Sequence, residues 1–207
     1  MGSGAEFRVG YPEQPPLLPG VPETEQHELW AAHEGARLRR FPLEPQYWEM
    51  GAAVDIAAER ACHMLAQHSA FTMEEIRTES GDCGHLSVVM QQLLQRRDGI
   101  DTQLMEFTGA KGHFFLRSTN IPGETFDYDG TWLQFAFNMT DFARQPHTLI
   151  IPASQRRQAV VAHEALRPYV NYDFMLDVAR PVDFTYKDFL YEPLRQVFES
   201  QGWAQSS

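Results

Sequence analysis

The hydrophobic pattern of this chain changes period near residue 100, and that change restricts the fold more than any other feature. Before it, apolar residues recur at helical spacing. Val54, Ala57, Ala58, Ala61 and Leu65 mark a helix over about 46–68. Cys83, Leu86, Met90, Leu93 and Leu94 fall on one face of another, which starts near Cys83 and is ended by Asp98-Gly99. Between the two, Thr72 and Glu75 have the spacing of a capping box, which predicts a short helix. Past residue 100, strand-like runs follow over about 101–107, 113–118 and 124–129, with Asn120-Ile121-Pro122-Gly123 as the turn between the last two. Helices followed by consecutive strands predict an α+β domain, with an antiparallel sheet packed against the helix that begins at Cys83.

The flanks are less patterned. Tyr11-Pro12-Glu13-Gln14-Pro15-Pro16-Leu17-Leu18-Pro19-Gly20 predicts an extended, mobile arm over residues 1–22, and a polar helix follows over about 24–39. Residues 23–207 read as a single domain, with 43% hydrophobic residues in the whole chain to build its core. Thr148-Leu149-Ile150-Ile151 predicts a further strand before Pro152, and residues 154–166 a helix. A last helix near 187–201 must begin or kink at Pro193. The net charge of −11 argues against nucleic acid and anionic membranes as main partners. No apolar run approaches the roughly 20 residues of a membrane span. No basic start followed by an apolar core is visible, so the expected location is the cytoplasm, or outside the cell after export by a specialised system without a cleavable signal. Cys62 and Cys83 are the only cysteines, which points to a reducing compartment rather than a disulfide framework.

The chemistry centres on Ser80-Gly81-Asp82-Cys83-Gly84-His85. A free thiol has a pKa of about 8.5, and a helix N-terminus or a nearby imidazolium favours its thiolate. Asp82 works the other way, unless its carboxylate caps the helix. The backbone N–H of Cys83 is a natural oxyanion donor, since the first amides of a helix have no partner within it. His113 opens one strand and Asp129 ends the next, so a hairpin turning near Ile121-Pro122 places them opposite each other. Asp127 has the same strand parity as Asp129, and parity cannot choose between them. A thiol, a base and an orienting carboxylate, in that order, is the arrangement of Cys-His-Asp nucleophilic enzymes. Cys62 lies inside a helix and reads as a small core hydrophobe. A metal reading has only the close pair Cys83-x-His85 behind it, so no metal site is predicted.

On these residues the chain resembles the transglutaminase-like branch of the papain-like superfamily. Gly81-Asp82-Cys83-Gly84-His85-Leu86-Ser87 is similar to that family's nucleophile-helix start, and Gly112-His113-Phe114-Phe115-Leu116 to its histidine strand. Asp129-Gly130-Thr131-Trp132-Leu133-Gln134-Phe135 resembles the Asp-x-Thr segment of bacterial toxin and effector glutamine deamidases, and assigns the family's aspartate to Asp129 rather than Asp127. The resemblance covers about 80–135. It implies a triad of Cys83, His113 and Asp129, a thioester intermediate and no cofactor. Supporting roles fall to Asp127, Gly84, His85, Trp132 and Gln134. It further implies a protein substrate presenting a glutamine or another carboxamide or acyl group. Deamidation or transglutamination comes first, with proteolysis or amide-forming acyl transfer as alternatives. A different class stays open: an inactive binding module that uses the arm and Trp132, Phe135 and Phe137 to contact a partner.

Overall fold

The computed structural model describes residues 43–78, 82–107, 113–135, 148–155 and 179–205. The arm over 1–22, the helix expected over 24–39 and most of that expected over 154–166 lie outside these residues, as do Phe137 and the side chain of Phe135. The described helices are α1 (Trp48–His68), α2 (Met73–Thr78), α3 (Cys83–Leu93) and α4 (Glu192–Ser200). The strands are β1 (Thr102–Phe107), β2 (Phe114–Ser118), β3 (Phe126–Asp129), β4 (Leu149–Pro152) and β5 (Ala179–Pro181). They form one sheet in the order β4-β3-β2-β1-β5, and every neighbouring pair is antiparallel.

Local chemistry accounts for the element boundaries. The Thr72 N–H donates to Glu75 Oε2 at 2.7 Å and the Glu75 N–H to Thr72 Oγ1 at 3.2 Å, which is the reciprocal capping box that starts α2. Past Leu93, α3 widens into a π turn over Leu94–Asp98 and stops at Gly99. Pro193 sits in the first turn of α4, where a missing N–H leaves no helical bond unmade. Pro152 ends the edge strand β4 as its last residue rather than following it.

Strand alternation separates the two faces of the sheet. Leu104, Leu116, Phe126, Tyr128 and Ile150 face the helices and join one core with Val54, Ala57, Ala58, Ala61 and Leu65 of α1 and Leu86, Met90 and Leu93 of α3. Leu194, Val197 and Phe198 of α4 complete it. Fully burying a side chain of this size contributes about 1.5–3 kcal/mol. Met105, Phe107 and Phe115 form a separate buried cluster from the opposite parity. The result is a mixed helix and antiparallel-sheet architecture, α+β as expected. No described helix is long and apolar enough to cross a membrane.

The packing of α3 sets where the site forms. Gln91 Nε2 donates to Thr102 O at 2.7 Å, which ties the helix's far half to the start of β1. A Cβ added at Gly130, just past β3, would lie 2.8 Å from Leu86 Cδ2, and one added at Gly84 would lie 3.2 Å from Phe114 Cδ2 at the start of β2. The start of α3 therefore lies at the end of the sheet where β2 begins and β3 finishes.

Candidate active site

Cys83 is the first residue of α3, His113 directly precedes β2, and Asp129 is the last residue of β3. In the β2–β3 register, Leu116 faces Tyr128 and Arg117 faces Asp127. Continued one step, that register sets Phe115 rather than His113 across from Asp129, so His113 meets Asp129 diagonally, from just before β2, with His113 Nε2 2.6 Å from Asp129 Oδ2. The three side chains are buried, with exposures of 5% for Cys83, 4% for His113 and 2% for Asp129. Water therefore screens their charges little.

His113 has an altered titration. Burial is the largest influence and works against its positive charge. The charge and hydrogen bond of Asp129 oppose it, and so do a hydrogen bond and the charge of Cys83; the balance brings the imidazole up to about 9. Cys83 thus acts on the same ring that Asp129 holds. Nε2 is engaged by Asp129, so a proton exchanged with the thiol would pass at Nδ1, which Gln134 also addresses. A histidine that keeps its proton at neutral pH beside a sulfur, with a carboxylate behind it, is the arrangement that activates a thiol nucleophile.

Asp129 is itself held. Its Oδ1 accepts from the Thr131 N–H at 3.0 Å, an Asx-type turn, and lies 3.4 Å from Thr131 Oγ1. Gln134 Nε2 lies 2.8 Å from His113 Nδ1 and 3.1 Å from Thr131 Oγ1. The ring of Phe107 stacks on His113 at 5.7 Å between centroids. One short segment, Asp129 to Gln134, therefore reaches both ring nitrogens of His113.

The remaining candidates separate. Asp127 faces the same side as Asp129 but is one step further along, paired with Arg117 at 2.6 and 3.0 Å, and does not reach His113 through any described bond. Trp132 is fully buried, as a core residue rather than a contact surface. His85 turns its Nδ1 to Asp82 Oδ1 at 3.0 Å and stacks on Tyr191 at 4.1 Å. Asp82 accordingly gives α3 no side-chain cap, contrary to the capping role open to it from sequence; a residue in the αR region pairs more readily with the histidine three positions on. Gly84 lies under Phe189, whose Cε1 would come within 2.5 Å of an added Cβ. Cys62 donates to Met73 O at 3.2 Å, and burial pushes its thiol up to about 12, which fits a core role.

Sequence reasoning did not find Thr131 as a support of Asp129, although the Asp-x-Thr spacing of an Asx turn is visible in Asp129-Gly130-Thr131. Nor did it find the segment around Phe189 and Tyr191 that lies against the start of α3. No periodicity in that segment signals the contact. Among the described residues, no group of three or more His, Cys, Asp or Glu is placed to hold a metal ion. Comparison of the chain with protein-family models, with curated proteins and with solved structures finds no match.

Proposed function

We propose that this chain is a cysteine-nucleophile acyl-transfer enzyme with a papain-like, transglutaminase-like core, and that its reaction is the deamidation of a protein glutamine. The observation that carries this reading is the 2.6 Å bond from His113 to the buried Asp129, with Cys83 acting on the same imidazole. In this reading the proton of the Cys83 thiol resides on His113, and the sulfur attacks the carboxamide carbon. The oxygen of the tetrahedral intermediate is met by the Cys83 N–H at the start of α3. His113 gives its proton to the leaving nitrogen, the C–N bond breaks, and ammonia departs to leave a thioester on Cys83. Neutral His113 then takes a proton from water, whose oxygen attacks the thioester. The C–S bond breaks, the carboxylic acid leaves and gives its proton to solvent, and the thiolate–imidazolium pair is restored.

The test is incubation of the protein with a cell lysate beside Cys83→Ala, followed by mass spectrometry of the whole peptide set. Conversion of one protein's glutamine to glutamate, together with release of ammonia and dependence on Cys83, is the expected result. Peptide fragments would identify a protease, and crosslinked or amine-bearing products an acyltransferase. A thiol-alkylating probe adds a substrate-free measurement. It should modify Cys83 faster than Cys62 and slow in His113→Ala. Equal, slow modification of both cysteines would overturn the enzymatic reading and leave a binding module.

A further inference from the structure

We propose that Gln134 is a positioning residue for His113, whose side-chain amide turns over as the imidazole gains or loses its proton. This rests on the cysteine-enzyme reading for its purpose, though its test does not. Gln134 is 6% exposed, and its Nε2 position faces two groups, His113 Nδ1 at 2.8 Å and Thr131 Oγ1 at 3.1 Å. With the amide nitrogen there, Gln134 donates to Nδ1, so the ring must be neutral with its proton on Nε2, donated to Asp129. An imidazolium carries a proton on Nδ1 as well and needs an acceptor in the same place. A half-turn of the amide puts Oε1 there without altering the space filled. Thr131 suits either orientation, because its hydroxyl accepts from the amide N–H or donates to the amide oxygen.

Among the described residues, the groups that face His113 include Asp129 from β3, Cys83 from α3, Phe107 from β1, and Gln134 from the turn after β3, where Thr131 holds Asp129 and Gln134 in turn. Besides the Cys83 sulfur, whose own proton is the one exchanged, Gln134 is the group here that can serve the ring in both charge states. Asp129 holds Nε2 in each, whereas Nδ1 changes from acceptor to donor. A fixed donor or a fixed acceptor beside Nδ1 would favour one state alone. An amide lets the ring stay in place while the proton passes between sulfur and Nδ1 and back, which both halves of the reaction require.

Two near-isosteric replacements separate this role from packing. In Gln134→Glu the carboxylate accepts only, so the titration of His113 should move up by about one pH unit. In Gln134→Leu the imidazolium loses its charge-assisted acceptor and the neutral ring loses a weaker donor, so the titration should move down by a similar amount. The measurement is nuclear magnetic resonance of the His113 ring, assigned by its loss in His113→Gln. It is made in a Cys83→Ala background so that no reaction intervenes. Shifts of opposite sign support the proposal. Unchanged titration in both variants, or shifts of the same sign, would overturn it. Failure of the enzymatic reading shows elsewhere, as alkylation of Cys83 that does not depend on His113.

Discussion

Replacing Asp129 by asparagine removes one charge and leaves the shape of the site almost unaltered, so its effect can be worked out from two bonds. Asp129 accepts from Thr131 N–H on Oδ1 and meets His113 Nε2 with Oδ2. An asparagine has one oxygen for these two donors. If the oxygen stays with Thr131, the amide N–H₂ faces Nε2 and drives the ring proton to Nδ1, the nitrogen needed to take the thiol's proton. The charge matters as well. His113 is brought up to about 9 against a larger opposing effect of burial, chiefly through Asp129. Without that carboxylate, burial dominates and the titration should fall below the ordinary value of about 6.5. A fall of more than two units removes about 3 kcal/mol of support for the thiolate–imidazolium pair relative to the neutral thiol–imidazole pair, a factor of about 100 or more in the ratio of the two. The assay is alkylation of Cys83 by iodoacetamide at pH 6, resolved by mass spectrometry. Cys62 serves as the internal standard because burial pushes its thiol up to about 12. Cys83 modification should slow about 100-fold in Asp129→Asn. A folded Asp129→Asn protein that alkylates Cys83 at the parent rate, with the parent's pH dependence, would refute the reasoning.

Three further outcomes follow from the same geometry. His113 titrates at about 6.5 when unfolded and about 9 when folded, so its stabilisation is complete below pH 6.5 and is lost as pH rises through 9. Denaturation midpoints at pH 6 and 9.5 should differ by about 3 kcal/mol in the parent and by much less in His113→Gln; a flat parent profile would contradict this. Arg117→Met takes the guanidinium from Asp127, a carboxylate only 2% exposed, and should destabilise by about 2 kcal/mol, moderated because Arg117 is partly exposed. Cys83 alkylation should not change; a clear fall would return Asp127 to the site. Gly84→Ala places a methyl 2.5 Å from Phe189 Cε1 and should lower stability by about 1–3 kcal/mol in urea titrations. Adding Phe189→Ala should then cost less than it does alone, and strict additivity would refute the contact.

The sequence was most legible where local chemistry alone decides an element. The Val54–Leu65 stripe, the Thr72/Glu75 box and the three strand runs all appear within a few residues of their expected positions. The pairing of His113 with Asp129 followed from hairpin geometry, although parity left Asp127 equally eligible. The choice is made by distance along the ladder, since Arg117 occupies the step opposite Asp127. What stayed hidden depends on long-range partners. β5 is three residues long, Ala179-Arg180-Pro181, and is a strand because β1 pairs with it and Glu106 holds Arg180 at 2.7 Å. Asp82 looked like a cap and His85 like a neighbour of the thiol. Their bond to each other and the Tyr191 ring over His85 decide both roles, and Tyr191 is over a hundred positions away.

Two of the three candidate residues share a further property that sequence displays without explaining. Cys83 and Asp129 are each followed at once by glycine, and both glycines are points of close approach. An added Cβ at Gly130 would lie 2.7 Å from Met90 Sδ and 2.8 Å from Leu86 Cδ2, so α3 presses directly on the chain just past Asp129. At Gly84 it would meet Phe189 at 2.5 Å and Phe114 at 3.2 Å, so the C-terminal segment and the start of β2 press on α3 just past Cys83. A side chain at either place would have to displace these side-chain atoms or hold the helix off the sheet by a fraction of its own size. The bond between His113 and Asp129 would survive that displacement, because it lies within the sheet. The approach of Cys83 would not, because it alone arrives on the helix. Gly130→Ala should therefore slow Cys83 alkylation while leaving the His113–Asp129 bond in place. If both are retained with stability unchanged, the close contact does not set the sulfur's position.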